Sequence, residues 1–202
     1  VDSGQLSVAY QPLFELASGR LVGFEALARW DHPRDGAIGP NAFIPIAEET
    51  GLMPRLTDFV LNCACRQLAA WQATHPELGT LSMNVNLSGH DLAHSALVAR
   101  VTRALVESDL RPQQLTLELT ENILMSRLEG SMDTLVELRR LGVRLAVDDF
   151  GTGYSSLAHL ARLPIDSLKI DRSFVQQMRR STDEAAVVRA IVQLGDTLRK
   201  LV

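Results

Sequence analysis

VRLAVDDFGTGYSSLAHLAR, residues 143–162, holds a strand, a turn and a helix in one short run. Residues 143–151 are strand-like and carry two acids, Asp148 and Asp149, near their end. Gly151, Thr152 and Gly153 break the run, and residues 155–162 are helix-like. The same order recurs on both sides. Residues 81–88 (LSMNVNLS) precede a helix-like 94–107, residues 114–121 (QLTLELTE) precede 128–141, and residues 166–173 (DSLKIDRS) precede 183–199. Alternation of this kind predicts stacked βαβ units and a parallel sheet. The helix ends agree. Gly142 follows LRRL as a C-terminal cap. Pro112 and Pro164 sit just before strands, where a helix has already stopped. Thr182 opens T-D-E as an N-cap followed by acids.

The first third differs. Residues 6–16 and 20–30 are strand-like and joined by Ala17-Ser18-Gly19, a link short enough to require an antiparallel hairpin. A loop rich in Asp, Pro and Gly follows at 31–40, then a short helix at 43–50 and a long one at 56–74. Two early strands and four βα strands make most of a β/α barrel, whose closed form has eight. Lys200-Leu201-Val202 follows a helix with an apolar pair, as the preceding strands begin, so a seventh strand is expected to start there. The reading is of one α/β domain over residues 1–202, C-terminally incomplete and excised from a longer protein, since Val1 stands where a Met would open a natural chain.

Composition narrows the chemistry. The chain has 202 residues, 46% of them apolar, which suits a single domain with a sizeable core. Its formal charge of −4 argues against a duplex nucleic-acid partner, which calls for a basic surface. It does not argue against a small phosphate ligand, because a metal ion can supply positive charge locally. Cys63 and Cys65 are too close for a CxxC redox motif or a zinc half-site and read as small core-filling residues. There is no signal peptide and no apolar run of the roughly 20 residues that span a bilayer. A cytoplasmic domain is expected, with membrane association of a parent protein left open.

Catalytic residues of α/β barrels come from the C-terminal ends of strands. Those ends carry Glu25 and Arg29, then Asn84 and Asn86, then Glu118 and Glu121, then Asp148 and Asp149, then Lys169 and Asp171. Burying an unpaired charge costs several kcal/mol, and converging carboxylates raise one another's pKa. A divalent cation resolves both problems. A set with oxygen ligands and no His or Cys favours Mg²⁺ or Mn²⁺ over Zn²⁺, and Asp148 with Asp149 at a strand terminus can twist to share a two-metal centre. Duller readings exist for each part. Glu25 with Arg29, or Lys169 with Asp171, can be plain ion pairs; Asp148-Asp149 before Gly can be turn chemistry; Asn84 and Asn86 can cap backbone groups. They weaken because every strand makes the same exception at the same end. The run 150–156 (FGTGYSS) adds a flexible hydroxyl-bearing loop after the acids.

These residues, in this order, resemble the EAL family of cyclic-di-GMP phosphodiesterases. The resemblance rests on Glu25-Ala26-Leu27 within GFEALARW, Tyr10-Gln11-Pro12, Phe43-Ile44-Pro45 with Ala47-Glu48, Asn86-Leu87-Ser88, Glu118-Leu119-Thr120-Glu121, DDFGTGYSSL at 148–157 and Leu168-Lys169-Ile170-Asp171. It implies a TIM-like (β/α)8 barrel with an antiparallel first strand, lacking its last two strands as the sequence stands. It implies hydrolysis of cyclic di-GMP to linear pGpG with Mg²⁺ or Mn²⁺. Carried over by position, Glu25, Asn86, Glu118 and Asp148 resemble ligands of one metal, and Asp148 and Asp149 the acids of a second. Lys169 resembles the lysine that orients or deprotonates the attacking water. Glu121 resembles the residue that holds the loop after Asp149. Gln11, Leu27, Arg29 and Glu48 resemble ligand contacts, Arg29 on a phosphate. The family pattern continues to a glutamate on strand seven and a glutamine on strand eight, and residues 1–202 contain neither.

The resemblance also implies a homodimer and neighbouring sensory or diguanylate-cyclase-type domains. Two other readings remain open at this stage: an inactive receptor that binds cyclic di-GMP and signals through attached domains, and an unrelated metal-dependent barrel enzyme such as a lyase working through an enolate.

Overall fold

Leucines at alternate positions of the central strands decide the architecture. In the computed structural model, which describes residues 4–126, 128–153, 157–178 and 182–202, strand β5 (Leu115–Thr120) turns Leu115, Leu117 and Leu119 to one face. Thr116, Glu118 and Thr120 take the other, as the period-2 pleat requires. The leucine face is sealed and packs under helices. Beside it run β4 (Ser82–Asn86), β6 (Arg144–Phe150) and β7 (Ser167–Ile170), all parallel. β2 (Leu21–His32) pairs in parallel with β4, and β1 (Leu6–Phe14) closes one edge antiparallel to β2.

The helices cover the leucine face. α1 (Pro40–Glu49) and the long α2 (Met53–Thr74) follow the hairpin. α2 buries Leu56, Val60, Leu61, Ala64, Cys65 and Leu68, spaced three and four apart as one helical stripe. α3 (Gly89–Ala93) and α4 (Leu97–Ser108) follow β4; α5 (Glu121–Ser126) and α6 (Leu128–Leu141) follow β5. α7 (Leu157–Leu160) follows β6, and α8 (Arg172–Gln177) and α9 (Thr182–Leu198) follow β7. Cys65 lies within the core, and both cysteines are free thiols. Among the described residues no helix is long and apolar enough to cross a membrane.

The fold read from the sequence stands, with local corrections. The β1–β2 hairpin closes over residues 15–20, wider than the three-residue link, because Glu15 N donates to Arg20 O and Gly19 takes a left-handed φ of 67°. The polar loop at 31–40 contains a further strand, β3 (Gly36–Ile38), antiparallel to the far end of β2. Three residues are too few to show an alternation. The helix expected at 94–107 is α4, which begins three residues later, and an unforeseen short helix, α3, precedes it, because Ser88 and Asp91 form a capping box that starts α3 at Gly89 and His94 then leaves the helical region. Gly142 caps α6 at φ 97°. Leu201 pairs in parallel with Ser167 beside β7, where a seventh strand was expected to begin. Tyr154, Ser155 and Ser156, and the proposed cap at the Thr182 side chain, lie outside the described residues.

The sheet is strongly curled. β2 and β7 are four strand steps apart, about 19 Å in a flat sheet, yet Lys169 of β7 donates to Glu25 of β2 at 3.1 Å. The face opposite the helices is therefore the inside of a barrel-like arc. β2 comes close to β4 where their pairing begins. A Cβ on Gly23 would stand 2.6 Å from the Ser82 carbonyl oxygen, which is backbone and cannot swing aside. Gly23→Ala is expected to destabilise the fold by about 1–3 kcal/mol through overpacking, read as a lower midpoint in thermal or urea unfolding; an unchanged midpoint contradicts the close approach.

Candidate active site

The inner face carries the polar residues of the strands. Glu25, Leu27 and Arg29 alternate on β2, Asn84 and Asn86 on β4, Thr116, Glu118 and Thr120 on β5, Ala146 and Asp148 on β6, and Ser167 and Lys169 on β7. Register then gathers them. Glu25 lies opposite Asn84, Asn86 opposite Glu118, and Thr120 opposite Asp148.

Carboxylate oxygens of Glu25, Glu118 and Asp148 come within 4.8 Å of one another. Lys169 Nζ sits among them, 3.1 Å from Glu25, 2.7 Å from Glu118 and 3.3 Å from Asp148. Two amides orient the acids: Asn84 Nδ2 donates to Glu118 at 2.7 Å and Asn86 Nδ2 to Glu25 at 2.9 Å. An amide that donates to a carboxylate keeps its carbonyl oxygen as an acceptor for a cation. Asn84, noted at a strand end but given no role, belongs to the cluster; its signal was a place two residues before Asn86 on one strand face.

The electrostatics are unbalanced. Glu118 is sealed from solvent. Burial, opposed by Lys169 and reinforced by Glu25 and Asp148, pushes its carboxyl up to about 7. For Lys169 burial alone would favour the neutral amine, but Glu118, Glu25 and Asp148 outweigh it and hold the ammonium above its usual range. One ammonium faces three carboxylates. The acidic trio can hold a divalent cation, and its oxygen donors suit a hard ion.

Asp149 is set apart from the trio. Val147 pairs with Leu168 and Phe150 with Ile170, so two residues of β6 face only Lys169 of β7. That bulge frees the two acids from strict alternation, and Asp149 takes a φ of 53°. Its carboxyl shares a hydrogen bond with Asp171, and burial together with Asp148 and Asp171 raises its pKa. Asp171 lies past the strand and caps α8 by accepting from Ser173 N at 2.8 Å; it is Lys169's neighbour in sequence but pairs elsewhere.

Glu121 opens α5 and is buried. Its Oε2 accepts from Gly151 N at 2.8 Å and Gly153 N at 3.3 Å. A Cβ on Gly153 would lie 2.8 Å from the same carboxylate, so the loop after β6 approaches Glu121 only because that residue is glycine.

A cavity of about 300 Å³ adjoins the cluster. Leu27, Arg29, Glu48 and Asn86 line it with Ile44 and Ser88 among others. Gln11 is exposed on β1 opposite Glu25 and is not part of that lining.

Comparison with known proteins bears on this geometry. The family model described as EAL domain matches residues 1–202. The bifunctional diguanylate cyclase/cyclic di-GMP phosphodiesterase MucR of Pseudomonas aeruginosa is 45% identical over 98% of this chain and 29% of its own length. The cyclic di-GMP phosphodiesterase NbdA of the same organism is 42% identical over 96% of this chain and 24% of its own length. The chain thus spans less than a third of the length of these curated relatives. A solved structure described as the PaMucR phosphodiesterase in complex with c-di-GMP superposes with a TM-score of 0.91 at 44% identity, over 97% of this chain and 78% of that one.

The Glu118 shift has a sign that can be tested. Its folded value, about 7, lies above the ordinary 4.5. The folded state therefore keeps a proton that the unfolded chain has lost, and this group's contribution to stability declines as pH rises from about 4.5 to 7. A cation requires the deprotonated acid. Stabilisation by Mn²⁺, read as a rise in melting temperature, is expected to be small at pH 5.5 and full at pH 7.5. An equal rise at both contradicts the assignment.

Proposed function

Because this chain belongs to the EAL-domain family, we propose that it hydrolyses cyclic di-GMP to linear pGpG at the strand ends described above. The observation that carries the reading is three carboxylates and a lysine converging beside a cavity that also contains Arg29. Glu25, Asn86, Glu118 and Asp148 would hold one Mg²⁺ or Mn²⁺, and Asp148 with Asp149 would serve a second. Bound there, the ions would lower the pKa of water and stabilise charge on the attacked phosphate.

The chain's own residues supply the rest. Lys169, set among three acids, orients or deprotonates the attacking water. Arg29 presents a planar, permanently charged fork to a phosphoryl oxygen. Leu27 and its apolar neighbours pack a base, Glu48 faces the nucleotide, and Gln11 reaches it from β1. Glu121 keeps the loop after Asp149 in place through the Gly151 and Gly153 amides. In-line attack of water on phosphorus breaks the bond to a 3′ oxygen, which leaves with a proton, and a 5′ phosphate remains on the linear product.

The longer relatives, one of them named for a cyclase activity as well, support companion sensory or cyclase-type domains in the parent protein. A homodimer and a cytoplasmic location complete the proposal. The discriminating experiment uses purified parent protein with Mg²⁺ or Mn²⁺ and cyclic di-GMP. Linear product is expected, and Glu25→Gln should lower turnover by about 100-fold or more while the fold, read by circular dichroism, persists. Binding of cyclic di-GMP without turnover by the unmutated protein would make it a receptor instead.

A further inference from the structure

Asp91 takes no part in the strand-end cluster, yet it is completely buried and its carboxylate is fully used. Oδ2 accepts from Ser88 N at 3.0 Å, from Ser88 Oγ at 2.7 Å and from Thr57 Oγ1 at 2.8 Å. Oδ1 accepts from Arg100 Nη2 at 3.1 Å. Arg100, itself 8% exposed, also donates to Pro54 O at 2.9 Å and pairs with Asp58. One carboxylate thereby ties α2, α3 and α4 to the residue that leaves β4.

That residue is two positions from Asn86. The link between them is short and anchored, because Leu87 is buried and its N–H donates to Glu118 O at 2.8 Å. Asn86 itself is solvent-exposed, with its amide on Glu25. It lacks the packing that would fix its place from outside. Ser88 and Thr57 also line the cavity beside Asn86. A buried ion pair is a poor device for stability, since apolar residues of the same size pack as well or better. Its hydrogen bonds, however, have direction, and here they aim at the exit of one strand.

We propose that Asp91, clamped by Arg100, is a positioning residue that holds the Asn86 amide in place over Glu25 and so sets the divalent-cation affinity of the site. This rests on the metal-site reading above. Groups that orient a metal ligand typically govern 10–100-fold in affinity, and residues acting through one another are non-additive.

The test is Mn²⁺ binding to nucleotide-free parent protein by electron paramagnetic resonance, for wild type, Asp91→Asn, Asn86→Ala and the double variant. Each single change is expected to weaken Mn²⁺ by about 10-fold or more, with the double no weaker than Asn86→Ala alone and near-ultraviolet circular dichroism unchanged for Asp91→Asn. Wild-type affinity in Asp91→Asn, or losses that multiply in the double variant, overturns the positioning role while the metal site stands. Wild-type affinity in Asn86→Ala overturns the metal-site reading and this inference with it. Should Asp91→Asn fail to fold, Thr57→Val removes one bond to the same oxygen and is carried through the same cycle, with a several-fold loss expected and the same overturning outcomes.

Discussion

A single ammonium group, Lys169 Nζ, lies between carboxylates from three strands. It is separated from Glu25 by 144 positions in the chain and from Glu118 by 51. No local propensity can bring these groups together; the curl of the sheet does so, and the outer shell of leucines and helices holds that curl. The contact is also what makes a sealed Glu118 tolerable. A buried carboxylate without a partner shifts its pKa or reorganises its surroundings, and here Lys169 and Asn84 share it. The compensation is partial, which is why Glu118 stays near 7 and why the cluster has the character of a cation site.

The bulge in β6 serves the same end. A regular strand would send Asp148 and Asp149 to opposite faces. Inserting one residue against Lys169 keeps Asp148 on the inner face and leaves Asp149 in a left-handed turn beside Asp171. The chain then needs a new support, because a bulge gives up ladder bonds. Glu121 supplies it by accepting two glycine amides of the following loop. Strain, acid placement and loop anchoring are one structural solution spread over three elements.

Much of this was legible in the residues. The recurrence of a short strand-like run followed by a longer helix-like one, from LSMNVNLS to DSLKIDRS, gave the parallel order of β4 to β7. The polar strand ends named every member of the acidic trio and Lys169. What could not be read depends on pairing. β3 is too short to have a period and exists only because β2 overruns the barrel. The extra helix α3 follows from the Ser88-Asp91 box, whose two residues stand three apart in a polar stretch. The separation of Asp149 from the trio comes from a register shift, which belongs to two strands and not to one. Asp91 and Arg100 are nine residues apart, and only the fold shows that they meet over Thr57 and Ser88.

Each inner strand divides its labour by face. On β5, Leu115, Leu117 and Leu119 carry the burial that stabilises the fold, while Glu118 between them carries charge into the barrel. The two sets share a backbone but no side-chain contacts of the same kind, so the polar end of the barrel can be electrostatically unfavourable without loosening the apolar shell. Natural sites are often tuned at the expense of stability in this way. The arrangement also explains why the supporting network around Asp91 is polar. It lies at the boundary between shell and site, where an apolar contact would pack equally well but would leave the exit of β4 free to slide, and with it the exposed Asn86 amide that donates to Glu25.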